Sequence, residues 1–210
     1  MSEKQKKIKN IFWALVYVAL AAVIIVSATS MFNNFYYESV YVSGSSMSPT
    51  FDGNTGTRLG SDYGIIDKDS GAKRNVKRFQ IVTTYYPHDT SSYKIKRVIA
   101  LPGDTFKVVN NDLYLYKDNE WNVIKDIPYE RKLDEYHIRN YPETTLKEDQ
   151  YFVSGDNYTG STDSFAVGPL TYDLLQGVVV KIQGRCTVDA QGNVIERRPS
   201  EPRYFLGVDY

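Results

Sequence analysis

Residues 11–32 read I-F-W-A-L-V-Y-V-A-L-A-A-V-I-I-V-S-A-T-S-M-F, and no charge occurs between Lys9 and Glu38. No other stretch limits the fold of this chain so strongly. About 20 apolar residues are enough to cross the hydrocarbon core of a bilayer as a helix. Lys4, Lys6, Lys7 and Lys9 precede the run, and aromatic residues flank it: Phe12 and Trp13 at one end, Phe32, Phe35, Tyr36 and Tyr37 at the other. Basic flanks stay cytoplasmic and aromatic belts sit at membrane interfaces. The expectation is a single-pass anchor in the cell membrane, with a short cytoplasmic segment (1–10), a span (11–32) and an extracytoplasmic remainder. A cleavable secretory signal has the same basic start, and Ser27, Ala28, Thr29 and Ser30 supply small residues. Its apolar core is shorter, about 7–15 residues, which favours the retained anchor.

The rest of the 210-residue chain is long enough for one domain with its own core. The formal net charge is zero, which leaves no electrostatic footprint for nucleic acid. Cys186 is the lone cysteine, so no internal disulfide forms, and no cysteine-rich metal site is available. His88 and His137 are isolated, and no ligand-spaced cluster implies a metal or cofactor.

Aromatics make up 14% of the chain and accompany many Val, Ile and Thr residues, a composition that favours strands. Short strands are expected at 38–43, 79–86, 93–101, 151–154 and 178–183. A hairpin is expected from 105–109 and 112–116 about Asn110-Asn111. Residues 52–78 are polar and glycine-rich and read as a flexible loop or loose hairpin. Residues 105–150 read as an inserted lobe and 185–210 as a polar tail. The fold class is mostly β: one N-terminal transmembrane helix, then an antiparallel β-rich domain over 36–184 with a small inserted lobe.

Three segments carry potential chemistry. Val42 to Thr50 reads V-S-G-S-S-M-S-P-T, with Ser46 before Met47 and a proline turn after it. By itself this is ordinary turn material. A serine nucleophile needs a base, and neither histidine has a supporting motif. A desolvated lysine can serve instead. Lys96, among Ile95, Val98 and Ile99 on the strand expected at 93–101, is placed for that role. The bland alternative is a snorkelling lysine on an edge strand. The third segment, 151–170, is dense in hydroxyls, carboxylates and glycines. It either brings Ser161 and Asp163 to the lysine or is a loop held by Asx-type bonds.

Together the segments resemble the type I signal peptidases. Ser46-Met47-Ser48-Pro49-Thr50 resembles the family's serine box. Lys96 to Asp104 (K-R-V-I-A-L-P-G-D) resembles its lysine box. Gly155 to Ser164 (G-D-N-Y-T-G-S-T-D-S) resembles its last box, and Val76 to Val82 (V-K-R-F-Q-I-V) is a weaker fourth match. The boxes follow an anchor in the family's order. The resemblance implies a membrane-bound serine endopeptidase that removes signal peptides after small residues of the Ala-x-Ala type. Its partners would be preprotein signal peptides, the lipid membrane and the secretion machinery. Ser46 would be the nucleophile and Lys96 the general base. Ser161 would orient the lysine, Asp163 would hold the last box, and the Ser46 N–H would donate to the oxyanion. Val42, Met47, Phe51 and Ile95 are expected to form shallow substrate pockets.

Two departures stand out. Gly44 occupies the position where some members carry a second oxyanion-hole hydroxyl. Phe165 stands where the last box usually continues with an arginine that pairs with the aspartate. Asp163 must therefore find another cation or backbone donors, Lys96 or a nearby N–H being candidates, and the expected consequence is reduced rigidity with the chemistry kept. Three rivals fit parts of the pattern. A non-cleaving assembly factor would be suspected if the serine or lysine were missing. A penicillin-binding-type enzyme needs Ser-x-x-Lys, and no lysine follows Ser46 at that spacing. A plain anchored binding module would not bring Ser46 and Lys96 within hydrogen-bond reach.

Overall fold

The computed structural model describes residues 2–205. The chain forms two compact units, one ending at Tyr37 and one beginning at Glu38. The first is helix α1 (Glu3–Tyr36). Ser2 caps it reciprocally: Ser2 Oγ accepts from the Gln5 N–H, and the Gln5 side chain accepts from the Ser2 N–H at 2.9 Å. Such a capping box satisfies two otherwise orphaned donors. No side chain of α1 is buried, and its most apolar 18-residue window has a mean hydropathy of 2.6. A helix apolar on all sides suits a lipid environment.

Among the described residues, the second unit is built from twelve strands, two short α-helices and a 3-10 turn at Tyr172–Leu174. In chain order these are β1 (Tyr37–Tyr41), β2 (Ser61–Asp67), α2 (Ser70–Arg74), β3 (Ile81–Tyr86) and β4 (Asp89–Ala100). Then come β5 (Thr105–Val109), β6 (Asp112–Lys117), β7 (Glu120–Val123), β8 (Tyr141–Thr145) and β9 (Gln150–Ser154). The chain continues with α3 (Ser164–Val167), β10 (Leu170–Thr171), β11 (Leu175–Val188) and β12 (Val194–Tyr204). One sheet has the order β1-β2-β11-β3-β4-β9-β10, with β12 also paired to β11. The long β11 joins its parts. Its first residues pair with β3, Val178–Cys186 with β2 and Lys181–Val188 with β12, all antiparallel.

A second, four-stranded sheet runs β7-β6-β5-β8. Its two hairpins turn at Asn110-Asn111 and Asp118-Asn119, all four with positive φ. Asn and Asp tolerate that conformation, which matches the twist of a tight hairpin. Phe106, Val108, Leu113 and Leu115 of this sheet pack with Leu146 and with Phe152 of β9, so the second sheet leans on the first.

Two expectations are corrected. Residues 52–78 are not a loose loop. Ser61–Asp67 is a buried strand, and Asp69 caps α2 by accepting from the Gly71 and Ala72 N–H groups. Burial between strands on both sides accepts the small polar residues Ser61, Asp62 and Gly64, which hid the strand from a hydrophobic pattern. Nor is the polar segment after Gly184 the unstructured tail expected, since β11 runs to Val188 and β12 pairs along it. The outer strand is charged because its residues face outward, and ion pairs such as Arg58–Glu196 (2.9 Å) and Arg203–Asp62 (2.9 Å) tie it down. The end of the expected tail, 206–210, lies outside the described residues.

Candidate active site

Three elements converge where β4 meets the turn after β1. The turn comes first. Val40 and Val42 point into a core shared with Met47, Phe51, Ile66, Ile81, Val179 and Ile182. That burial fixes both ends of the turn and leaves Ser43–Ser46 at the surface of the core. Gly44 has φ +84° and donates its N–H to the Gly53 carbonyl at 2.8 Å. Glycine is the residue that adopts this left-handed conformation without strain.

The lysine is placed by strand pairing. Lys96 lies opposite Val82 of β3, with Arg97 opposite Ile81. Its Nζ donates to Ser46 Oγ at 2.7 Å and to the Ile95 carbonyl at 3.0 Å. Lys96 is 4% exposed, and burial pushes its amine down from 10.5 to about 8, the nearby Asp163 and Asp156 carboxylates opposing that effect. Desolvation disfavours a charged amine, so burial lowers a lysine pKa.

The segment after β9 then locks the turn. The Asn157 N–H donates to the Ser46 carbonyl at 3.0 Å, and Asn157 Nδ2 donates to the Ser45 carbonyl at 3.0 Å. Asp156 pairs with Arg97: Nε to Oδ1 at 2.9 Å and Nη2 to Oδ2 at 2.6 Å, both side chains buried. Arg97 Nη1 donates to the Phe79 carbonyl at 2.7 Å, and the guanidinium lies 4.0 Å from the Tyr129 ring centroid. Further hydrogen bonds, from Arg97 to the Phe79 carbonyl and Thr50 Oγ1 and from Thr50 Oγ1 to Asp156, offset the cost of burying this pair. Gly155 allows the close approach. A Cβ there would stand 2.2 Å from Ser161 Oγ and 2.4 Å from the Ser46 carbonyl oxygen.

Asp163 is 1% exposed. Its Oδ2 accepts from the Gly155 N–H, Ser161 Oγ and Arg139 Nη1, each at 2.8 Å, and its Oδ1 accepts from the Phe165 N–H at 3.3 Å at the start of α3. The cation absent from position 165 thus comes from Arg139, between β7 and β8. Neither Lys96 nor a backbone N–H alone fills the role. Ser161 also differs from expectation. Its hydroxyl donates to Asp163, and among the described residues no hydrogen bond joins it to Lys96.

Ser46 opens onto a cleft of about 570 Å³ with β1 on one side and the first half of β4 on the other. Ile95 lines it, together with Tyr41, Tyr85 and Tyr93. Val42, Met47 and Phe51, expected as pocket walls, are instead at most 2% exposed inside the core. The alternation that turns Val42 inward leaves Tyr41 and Ser43 for the cleft. Arg97, Asp156, Asn157 and Arg139 are the residues that sequence reasoning gave no role. The first three sit inside the boxes. Arg139 had no local signal, since its partner is 24 residues away.

A buried amine donates to a serine hydroxyl beside the cleft, which is within the hydrogen-bond reach that a nucleophile and its base require. Residues 12–182 match the family described as "Signal peptidase, peptidase S26", and the chain belongs to that family. It is 30% identical over 165 residues to signal peptidase I P of Bacillus subtilis subsp. natto, covering 75% of this chain and 82% of the relative. It is 31% identical over 170 residues to signal peptidase I of Bacillus amyloliquefaciens, covering 78% and 83%. A solved signal peptidase I from Enterococcus faecalis is similar at 24% identity with a TM-score of 0.40, covering 50% of this chain and 96% of that one.

Proposed function

We propose that this chain is a membrane-anchored serine endopeptidase that removes signal peptides from exported preproteins after small residues of the Ala-x-Ala type. The observation that carries the mechanism is the 2.7 Å contact between Lys96 Nζ and Ser46 Oγ in a buried setting. A neutral Lys96 takes the proton of Ser46 as its oxygen attacks the scissile carbonyl. The protonated amine then gives that proton to the leaving amine, and water releases the acyl group through the same base. The Ser46 N–H, bonded to no acceptor among the described residues, is the donor for the developing oxyanion. Gly44 adds no hydroxyl. Loss of one such donor typically costs about 2.7–4 kcal/mol, so the backbone N–H carries a large share here.

The cleft suits an extended peptide. Among the described residues β1 pairs with β2 alone and β4 pairs with β9 from Arg97 onward, so no described strand pairs with the edge of Tyr93–Lys96 facing away from β3. Two unpaired edges flanking Ser46 support strand addition by the substrate. Tyr41, Tyr85, Tyr93 and Ile95 line the cleft beside the serine, and bulky walls of this kind favour small side chains before the cut. The basic start of α1 supports a cytoplasmic N-terminus and a catalytic unit on the outer side.

The test is cleavage of a preprotein with an Ala-x-Ala junction by the full chain in detergent micelles. Wild type should cut, and folded Ser46→Ala and Lys96→Ala should each lose about 10³-fold or more. The wild-type rate should fall as pH drops through about 8, because the neutral amine is the active form and the amine charges on the acid side. A wild type inert on several preproteins would favour a non-cleaving assembly role. A flat acid side would remove Lys96 as the base.

A further inference from the structure

We propose that Arg139 is a positioning residue for the Ser46–Lys96 pair, supplied to the active site by the segment between β7 and β8 in place of a cation at position 165. The inference rests on the peptidase reading above. A carboxylate as buried as Asp163 needs a paired cation. The guanidinium of Arg139 supplies it and also donates from Nη1 to Ser154 Oγ at 3.0 Å and from Nη2 to the Tyr158 and Ser161 carbonyls, each at 3.3 Å. It therefore holds both strand and loop sides of the last box. Phe165 is not merely a missing arginine. Its ring lies 4.7 Å from the guanidinium carbon of Arg139, and the Tyr158 ring lies at 4.1 Å, so the aromatic residue helps hold the cation that replaces it.

The second sheet presents Arg139. At the β5–β6 turn, Asn111 Oδ1 accepts from the Arg139 N–H at 2.7 Å, and the Asn111 N–H donates to the Arg139 carbonyl at 3.0 Å. Asn140 Oδ1 accepts from the Asn110 N–H at 2.9 Å. The hairpin turn thus clasps the chain where the arginine leaves it. The Asp163 oxygen that receives Arg139 also receives Ser161 Oγ and the Gly155 N–H, next to the Ser46 carbonyl. The charged groups acting on Lys96 are Asp163 and Asp156 from the last box, Lys94 on its own strand and Arg139, while its β3 partner Val82 is uncharged. Without Arg139 the Asp163 charge acts more strongly on the amine and favours its protonated form.

The experiment uses the full chain in detergent micelles with a preprotein substrate. Arg139→Gln is expected to lower kcat by about 10- to 100-fold with KM nearly unchanged. Its acid limb should move up by about one pH unit. Adding Phe165→Arg to Arg139→Gln, which relocates the cation, should return the limb to its wild-type position. Asn111→Gly keeps the turn and removes the side-chain clasp, and should move the limb in the same direction by less; it also serves if Arg139→Gln fails to fold. An unmoved limb in the folded variants, or a loss confined to KM, overturns the proposal. A thermal double-mutant cycle between Arg139→Gln and Asp163→Asn needs no catalysis. Coupling there with an inert wild type would sink the peptidase reading while keeping the arginine on its aspartate. Additive effects would sink the Arg139 inference itself.

Discussion

Lys96 is a residue whose chemistry and stability oppose each other. The fold places its amine where the cation is disfavoured, about 8 against an ordinary 10.5. The unfolded chain therefore binds more protons than the folded one between those values, so folding stability rises with pH across that window. Below about 8 the full penalty applies, and above 10.5 it disappears. Lys96→Met should then be inactive yet more stable than wild type at pH 7, by on the order of 1–3 kcal/mol, less what the lost bond to Ser46 contributes. The gain should shrink as pH rises toward 10.5. Thermal midpoints of both proteins across that range would check it, and a variant less stable than wild type at every pH would contradict the buried-amine account. Ser46 and Lys96 were legible in the sequence because each sits in a local pattern. Arg139 was not, because its meaning lies in a contact between segments that only the folded second sheet brings together.

Among elements, the strands with alternating or β-branched patterns, β3 to β6 and β9, were legible, as was the Asn110-Asn111 turn. β2 and β12 were not. The first is buried on both sides yet carries Ser61, Asp62 and Gly64, and the second is charged on its outer face. Neither shows the period that a half-buried strand gives. At the site, the element that matters most is the end of β9. It runs so close beneath the serine turn that Gly155 has no room for a side chain, a Cβ falling 2.4 Å from the Ser46 carbonyl oxygen and 2.2 Å from Ser161 Oγ. Gly155→Ala must push the turn away from β9 and strain the Asn157 bond to Ser46. A shift on the order of 1 Å at a nucleophile lowers the rate by about 10²-fold. The expected outcome is that loss in kcat, with a folded protein by circular dichroism. Wild-type kcat in Gly155→Ala would mean that the turn moves freely and that its clamping has no part in catalysis.

For the whole molecule, the question is what the anchor contributes. No side chain of α1 is buried, whereas the unit from Glu38 onward has its own cores beneath both sheets. A protein beginning at Glu38 should therefore fold with a thermal midpoint close to that of the full chain in detergent. It should also cut a short soluble peptide within about threefold of the full-length rate, since Ser46, Lys96, Arg97, Asp156 and Arg139 are all retained. On a preprotein inserted in vesicles the two should separate. An anchor that confines enzyme and substrate to one surface replaces bulk encounter by a local effective concentration, and such linkage raises apparent affinity by about 10²–10⁴-fold without any new contact. The full chain reconstituted into the same vesicles should thus reach a given cleavage rate at a correspondingly lower enzyme concentration. Equal rates for the two forms on the vesicle-bound preprotein would show that the helix adds nothing to substrate encounter. A truncated form that fails on the soluble peptide as well would show that the catalytic unit depends on the helix.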